Sequence, residues 1–285
     1  MLGWLNRSRQ RKLDAALFEA VYQEDPDAVQ RVLADGACPD ARRQDGQTPL
    51  MRAASEGQAA IARLLLEGGA DVQAQSETGE TALLLAIQPE FAAEGREETG
   101  LSELETFDEI PEAEADAEEP EDQDDGDEAD GGSPEFDRAV LETGQVLLAA
   151  GARVDQADRD GNTPLIKAAF DGRLDFAAIL LAAGADVHQA NRQGISALLA
   201  ASAGGRTDLI EALLAAGADP NRATPEGLTP LMLAAARGQV AVATVLLAAG
   251  ADPTARDGEG RSAAALAEAA GQDELARALG SNAPE

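Results

Sequence analysis

The stretch 160–192, DGNTPLIKAAFDGRLDFAAILLAAGADVHQANR, decides the fold. Thr163 can cap a helix, its hydroxyl accepting one of the backbone N–H groups that a first turn leaves unpaired. Pro164 follows at the first helical position, where a missing N–H costs nothing. Leu165, Ala168 and Ala169 stand at i, i+3 and i+4 and form one apolar stripe. Gly172 ends this short helix. The pattern predicts a second helix from about Leu174 to Ala183, with Leu174, Ala177, Ala178 and Leu181 on one face. Ile179 and Leu180 fall elsewhere, so this helix is apolar on more than one side. Gly184 stops it in a left-handed conformation that glycine adopts at least cost. A turn through Gly161 precedes the first helix and completes one turn–helix–helix unit. Such a unit is too short to cover its own two apolar faces. Stacked copies would cover them.

The copies are in the chain. Turn glycines fall at Gly46, Gly79, Gly161, Gly194, Gly227 and Gly260, and helix-stop glycines at Gly36, Gly69, Gly151, Gly184, Gly217 and Gly250. The spacing is 33 residues except once, where it is 82 in both series. The strings TPLMRAA (48–54), TALLLAI (81–87), TPLIKAA (163–169), SALLAAS (196–202) and TPLMLAA (229–235) recur with the same period. On these residues the chain resembles the ankyrin repeat family, whose period is 33 and whose signature is T-P-L-H-x-A. One departure is consistent: where the family has histidine after T-P-L, this chain has Met51, Leu84, Ile166, Leu199, Met232 or Ala265. Packing must therefore replace the polar link that the histidine makes. The resemblance implies an all-α solenoid of about seven helix pairs with short β-hairpin-like turns.

Taken in order, residues 1–12 are expected to be a basic, disordered lead-in and 13–44 an N-terminal capping repeat. A full repeat follows at 45–76. A second, 77–159, is interrupted by an insert at 89–137, which accounts for the difference between 82 and 33. Three uninterrupted repeats occupy 160–192, 193–225 and 226–258, and 259–285 form the C-terminal cap. Lengthening a loop to 49 residues costs roughly 2 kcal/mol of closure entropy, which a stack of repeats can carry. Ordering that loop would cost far more, and 111–132 have no large apolar residue to offset it, so the insert is expected to be disordered. Its earlier part differs. Leu101, Leu104, Phe107 and Ile110 recur every three residues and could form a short amphipathic helix that docks on a partner or on the repeats.

Charge sorts the possible partners. The net charge is −31, and 89–137 alone hold 22 acidic residues against one basic residue, Arg96. That balance argues against duplex nucleic acid, whose phosphates need a basic face. No stretch is apolar and long enough to span a membrane. Arg7, Arg9, Arg11 and Lys12, with Trp4 and Leu5, could touch an anionic membrane surface, but one short cluster anchors weakly, and the expectation is no membrane contact. A single cysteine, Cys38, excludes an intramolecular disulfide and fits a reducing, cytoplasmic setting. Every catalytic constellation lacks parts. His188 is the only histidine, Cys38 has no partner residue, the glycines have a turn explanation, and the acidic run fails the EF-hand spacing at Gln123 and Gly132. No enzyme activity, cofactor or metal is expected.

The resemblance implies instead that the chain binds another protein through its turn tips and the exposed side of its first helices, which line a concave groove; the chain itself is expected to be a monomer. Carried over by position, the contact residues would be Arg52, Arg159, Asn162, Lys167, Phe170, Arg192, Ile195, Leu228 and Arg237. Phe170, Ile195 and Leu228 are large apolar groups at positions usually wet and would form one patch. Two further readings turn on the insert. It could neutralise a basic, perhaps nucleic-acid-binding, partner as an inhibitor or immunity-type protein does, or it could cover its own groove, with its acids meeting Arg52 or Lys167.

Overall fold

The six first helices that follow Thr or Ser all begin alike. The hydroxyls of Thr48, Thr81, Thr163, Ser196, Thr229 and Ser262 each accept the N–H three residues on, at 3.2–3.3 Å. Each cap replaces a hydrogen bond that the helix cannot make for itself. A computed structural model describes residues 2–87 and 134–281. Its helices are α1 (Leu2–Tyr22), α2 (Pro26–Ala34), α3 (Pro49–Ser55), α4 (Ala59–Glu67), α5 (Ala82–Ile87), α6 (Pro134–Ala149), α7 (Pro164–Phe170), α8 (Leu174–Ala182), α9 (Ala197–Ala203), α10 (Thr207–Ala215), α11 (Pro230–Ala236), α12 (Val240–Ala248), α13 (Ala263–Ala269) and α14 (Asp273–Ser281). These are seven helix pairs among the described residues. Leu101, Leu104, Phe107 and Ile110 lie outside those residues.

The chain divides into two compact units. One holds the described residues up to 87 with 134–168 and 175–186, and the other holds 169–174 and the residues from 187. In the first unit α1, α3 and α5 lie side by side, with α2, α4 and α6 behind them. In the second, α9, α11 and α13 make the front row, and α10 and α12 stand behind. The core is what the repeated strings supply. Leu50, Met51, Leu84, Leu165 and Ile166 are buried in the first unit, and Leu198, Leu199, Leu231 and Met232 in the second.

Turns are built to one plan. A backbone N–H donates four residues on at Arg43–Gln47, Ser76–Glu80, Asp158–Asn162, Asn191–Ile195, Thr224–Leu228 and Asp257–Arg261. Hairpin-like turns were the expectation, and one antiparallel bridge, Ala190–Ser196, goes with them. Neighbouring tips are tied by Glu77 N–H to Asp45 O (3.0 Å) and Arg159 N–H to Thr78 O (3.1 Å). Gly46 shows why the turn needs glycine: its φ is +78°, and a Cβ there would come 2.8 Å from the Glu77 nitrogen.

Three expectations are corrected. The lead-in is helical, because 4–22 contain no glycine or proline and are rich in Arg, Leu and Ala. Helix α6 begins at Pro134, inside the expected insert of 89–137, and runs 16 residues, against nine in α4 and α8. Pro134 suits a first turn, and Glu135 and Asp137 complement the helix dipole there. The buried face of α8 is Phe176, Ala177 and Leu180, whereas Ala178 is exposed and Leu174 and Leu181 are half-buried. A helix apolar on all sides carries no phase information, so periodicity could not choose its face.

Candidate functional site

The position that follows T-P-L sits at the third residue of each first helix. Met51, Leu84, Ile166, Leu199 and Met232 are all buried there, so packing replaces the polar link at these five positions, whereas Ala265, the third residue of α13, is exposed. Met51 also keeps a remnant of it, since its sulfur lies 3.4 Å from the Thr48 N–H. Sulfur is a weak acceptor.

Lys167 faces the same row from α7, and it is buried. Its ammonium lies 3.1 Å from Glu80 Oε1 and 3.5 Å from Asp158 Oδ2, with 7% of the side chain exposed. Glu80 and Asp158 belong to two successive turns, so Lys167 clamps those turns together and is withdrawn from any surface. Asn162 is buried as well, and donates through its backbone N–H (2.8 Å) and its side-chain amide (3.2 Å) to Asp158. Ile195 is 3% exposed. Its N–H donates to Asn191 Oδ1 at 2.9 Å, and its side chain lies in the core. The expected patch of Phe170, Ile195 and Leu228 therefore loses its middle member, while Phe170 and Leu228 stay half-buried.

Arg159, Arg192 and Arg237 are exposed. Arg237 also has a structural task, because its guanidinium donates to the Ala203 carbonyl at the end of α9. Arg52 is half-buried and held by Glu56 at 2.7 Å. Above it stands Tyr22, the last residue of α1, with the guanidinium carbon 5.8 Å from its ring centroid. A second pair sits four residues back, where Arg43 lies 4.9 Å over Phe18. Both distances are in the range of cation–π attraction. Tyr22 is 64% exposed, one of two large exposed apolar side chains among the described residues, with Val240.

Sequence reasoning missed Tyr22 and the turn acceptors. Tyr22 holds the register of Phe170, at the last position of a first helix, and aligning the capping repeat that far would have found it. The acceptors recur at one position. Asp158, Asn191 and Asp257 take N–H groups two and four residues on, and Ser76 does the same with its hydroxyl. At Asp257 burial pushes the carboxyl up. Hydrogen bonds and the charge of Arg261, with the Glu259 N–H, outweigh it and hold the group below the usual carboxylate range.

Among the described residues, no group of three or more His, Cys, Asp and Glu side chains is placed to hold a metal ion, and no helix is long and apolar enough to cross a membrane.

The family model described as ankyrin repeats (3 copies) matches residues 17–93, 180–257 and 197–284, and that for a single ankyrin repeat matches 160–192. A potassium channel, KOR1 of Oryza sativa subsp. japonica, is 45% identical over 67 residues, which are 24% of this chain and 8% of that protein. The fold is similar to the crystal structure of the ankyrin repeat domain of Bcl-3, a member of the IkappaB protein family. The TM-score is 0.68 at 21% identity, over 94% of this chain and 98% of that one. Capped helix pairs at a 33-residue period, glycine turns of one design and the matched models together place this chain in the ankyrin repeat family.

Proposed function

We propose that this chain is a non-catalytic scaffold that binds a partner protein along its first helices and turn tips. The observation that carries the reading is the anchor at Tyr22. An exposed aromatic ring stands on a guanidinium already fixed by Glu56. Aromatic and Arg groups dominate binding hot spots, and a side chain held in place before binding loses less entropy on contact. Phe170 and Leu228, with Arg159, Arg192 and Arg237, are the remaining contact residues of the proposal; Lys167, Asn162 and Ile195 act inside the fold. We place the protein in the cytoplasm as a monomer, the single Cys38 fitting a reducing setting.

Affinity purification with the parent chain, followed by Tyr22→Ala and Phe170→Ala in separate preparations, tests this. The reading expects one partner to be lost from both. A partner retained by both variants removes it.

A second reading draws on the charge of 89–137, with 22 acids against one base. These residues would neutralise a basic partner, and binding would then fall steeply with salt. Deleting 89–137 without loss of that partner refutes it.

A further inference from the structure

In a chain of net charge −31, the first 13 residues carry four bases, Arg7, Arg9, Arg11 and Lys12, and no acid. They lie on a helix 21 residues long, where α3 and α7 have seven residues. One side of α1 is committed to the fold. Leu17 and Val21 are buried, Gln10 Nε2 donates to Gly36 O at 3.2 Å, and Asp14 Oδ1 accepts the Cys38 N–H at 3.0 Å. One repeat later, Asp40 Oδ1 accepts the Asp71 N–H in the same manner at 2.8 Å. Gln10 and Asp14 therefore close the end of the stack, as a preceding repeat would, and α1 begins eight residues ahead of Gln10.

At the helical period, positions 8, 9, 12, 15 and 16 fall on the side away from Gln10, Leu17 and Val21, with position 11 at its edge. These are Ser, Arg, Lys, Ala and Ala, then Arg. Arg9, Arg11 and Lys12 are exposed. The eight residues ahead of Gln10 extend about 12 Å at the helical rise.

We propose that the N-terminal half of α1 docks on the surface of an anionic lipid bilayer. Arg9, Arg11 and Lys12 meet the headgroups, and Trp4 and Leu5 enter the interfacial layer. Charge supplies the attraction, and an adjoining apolar pair is what separates a lipid-surface helix from a merely basic one. A nucleic acid needs many phosphates neutralised along a basic face, and this helix offers four bases with Trp and Leu at the end. The protein-binding surface proposed above is separate, so either assignment can fail alone.

The test uses the full chain with vesicles of phosphatidylcholine alone or mixed with phosphatidylserine. Trp4 is the only tryptophan, so its emission reports directly on this helix. Sedimentation with the mixed vesicles only, and a blue shift of that emission, are expected. Each base near such a surface is worth roughly fivefold in partitioning, so Arg9→Gln/Arg11→Gln/Lys12→Gln is expected to lower it about a hundredfold. Gln is a good helix former, and unchanged helical circular dichroism and Tm show that the variant is folded. Equal sedimentation with both vesicles, an emission that does not move, or a triple variant that partitions like the parent would each overturn the proposal. So would a homopolymeric RNA that binds the parent in place of the mixed vesicles.

Discussion

Gly144→Ala sets two known effects against each other in the first unit. Gly144 lies inside α6 with helical backbone, so the change alone gains about 1 kcal/mol of helix propensity. The new Cβ, however, would lie 2.5 Å from Phe176 Cζ and 3.0 Å from Cε2. Carbon atoms rest at about 3.5–4 Å, so the ring must move by about 1 Å. It has little room, since Phe176 is 1% exposed and Ala177 and Leu180 beside it are fully buried. Overpacking of this kind costs about 1–3 kcal/mol, which leaves a net loss of about 1 kcal/mol. Urea unfolding followed by circular dichroism reads the change. The decisive step repeats it in Phe176→Leu, which removes the far edge of the ring. There Gly144→Ala is expected to stabilise by up to about 1 kcal/mol. Stabilisation of the same size in both backgrounds would refute the steric account.

Further outcomes follow from the same contacts. Lys167→Met leaves Glu80 and Asp158 facing each other without their cation and is expected to cost about 2 kcal/mol, below the range for a fully buried pair because Glu80 is a quarter exposed. A urea midpoint equal to the parent's would refute the clamp. Thr229→Ala removes the cap of α11 and is expected to cost about 1 kcal/mol in the same assay. The depressed Asp257 carboxyl stabilises the fold above its unfolded value near 4, and that contribution is lost as pH falls through the lower folded value. Asp257→Asn is therefore expected to flatten the acid side of a Tm-against-pH curve. Tyr22→Ala is expected to weaken the partner about thirtyfold while leaving Tm unchanged, because the ring is mostly exposed.

The repeat was legible because its signals are backbone signals. All twelve turn and helix-stop glycines have positive φ, and the Thr and Ser caps bond as their spacing requires. What the sequence left open depends on neighbours far along the chain. Lys167 reads as a solvated charge until the turns of Glu80, 87 residues earlier, and Asp158 are brought to it. Ile195 reads as an exposed tip residue, and its burial follows from packing within the folded stack, which the sequence of its own turn does not announce. The face of α8 depends on Phe176 meeting Gly144, a contact across 32 positions that an all-round apolar helix does not announce. Subtracting one period from the long spacing put the insert boundary at 137, because it assumed a second helix of ordinary length; α6 starts earlier.

The central claim is that this fold holds a protein partner against its first helices and turn tips. Hydrogen exchange of the chain, free and bound to the partner recovered by affinity purification, tests it most directly. Slowed exchange is expected at the end of α1 around Tyr22, at the end of α7 around Phe170 and in the turn of Leu228. Protection confined to α4, α8 and α12, with those three places unchanged, would contradict it.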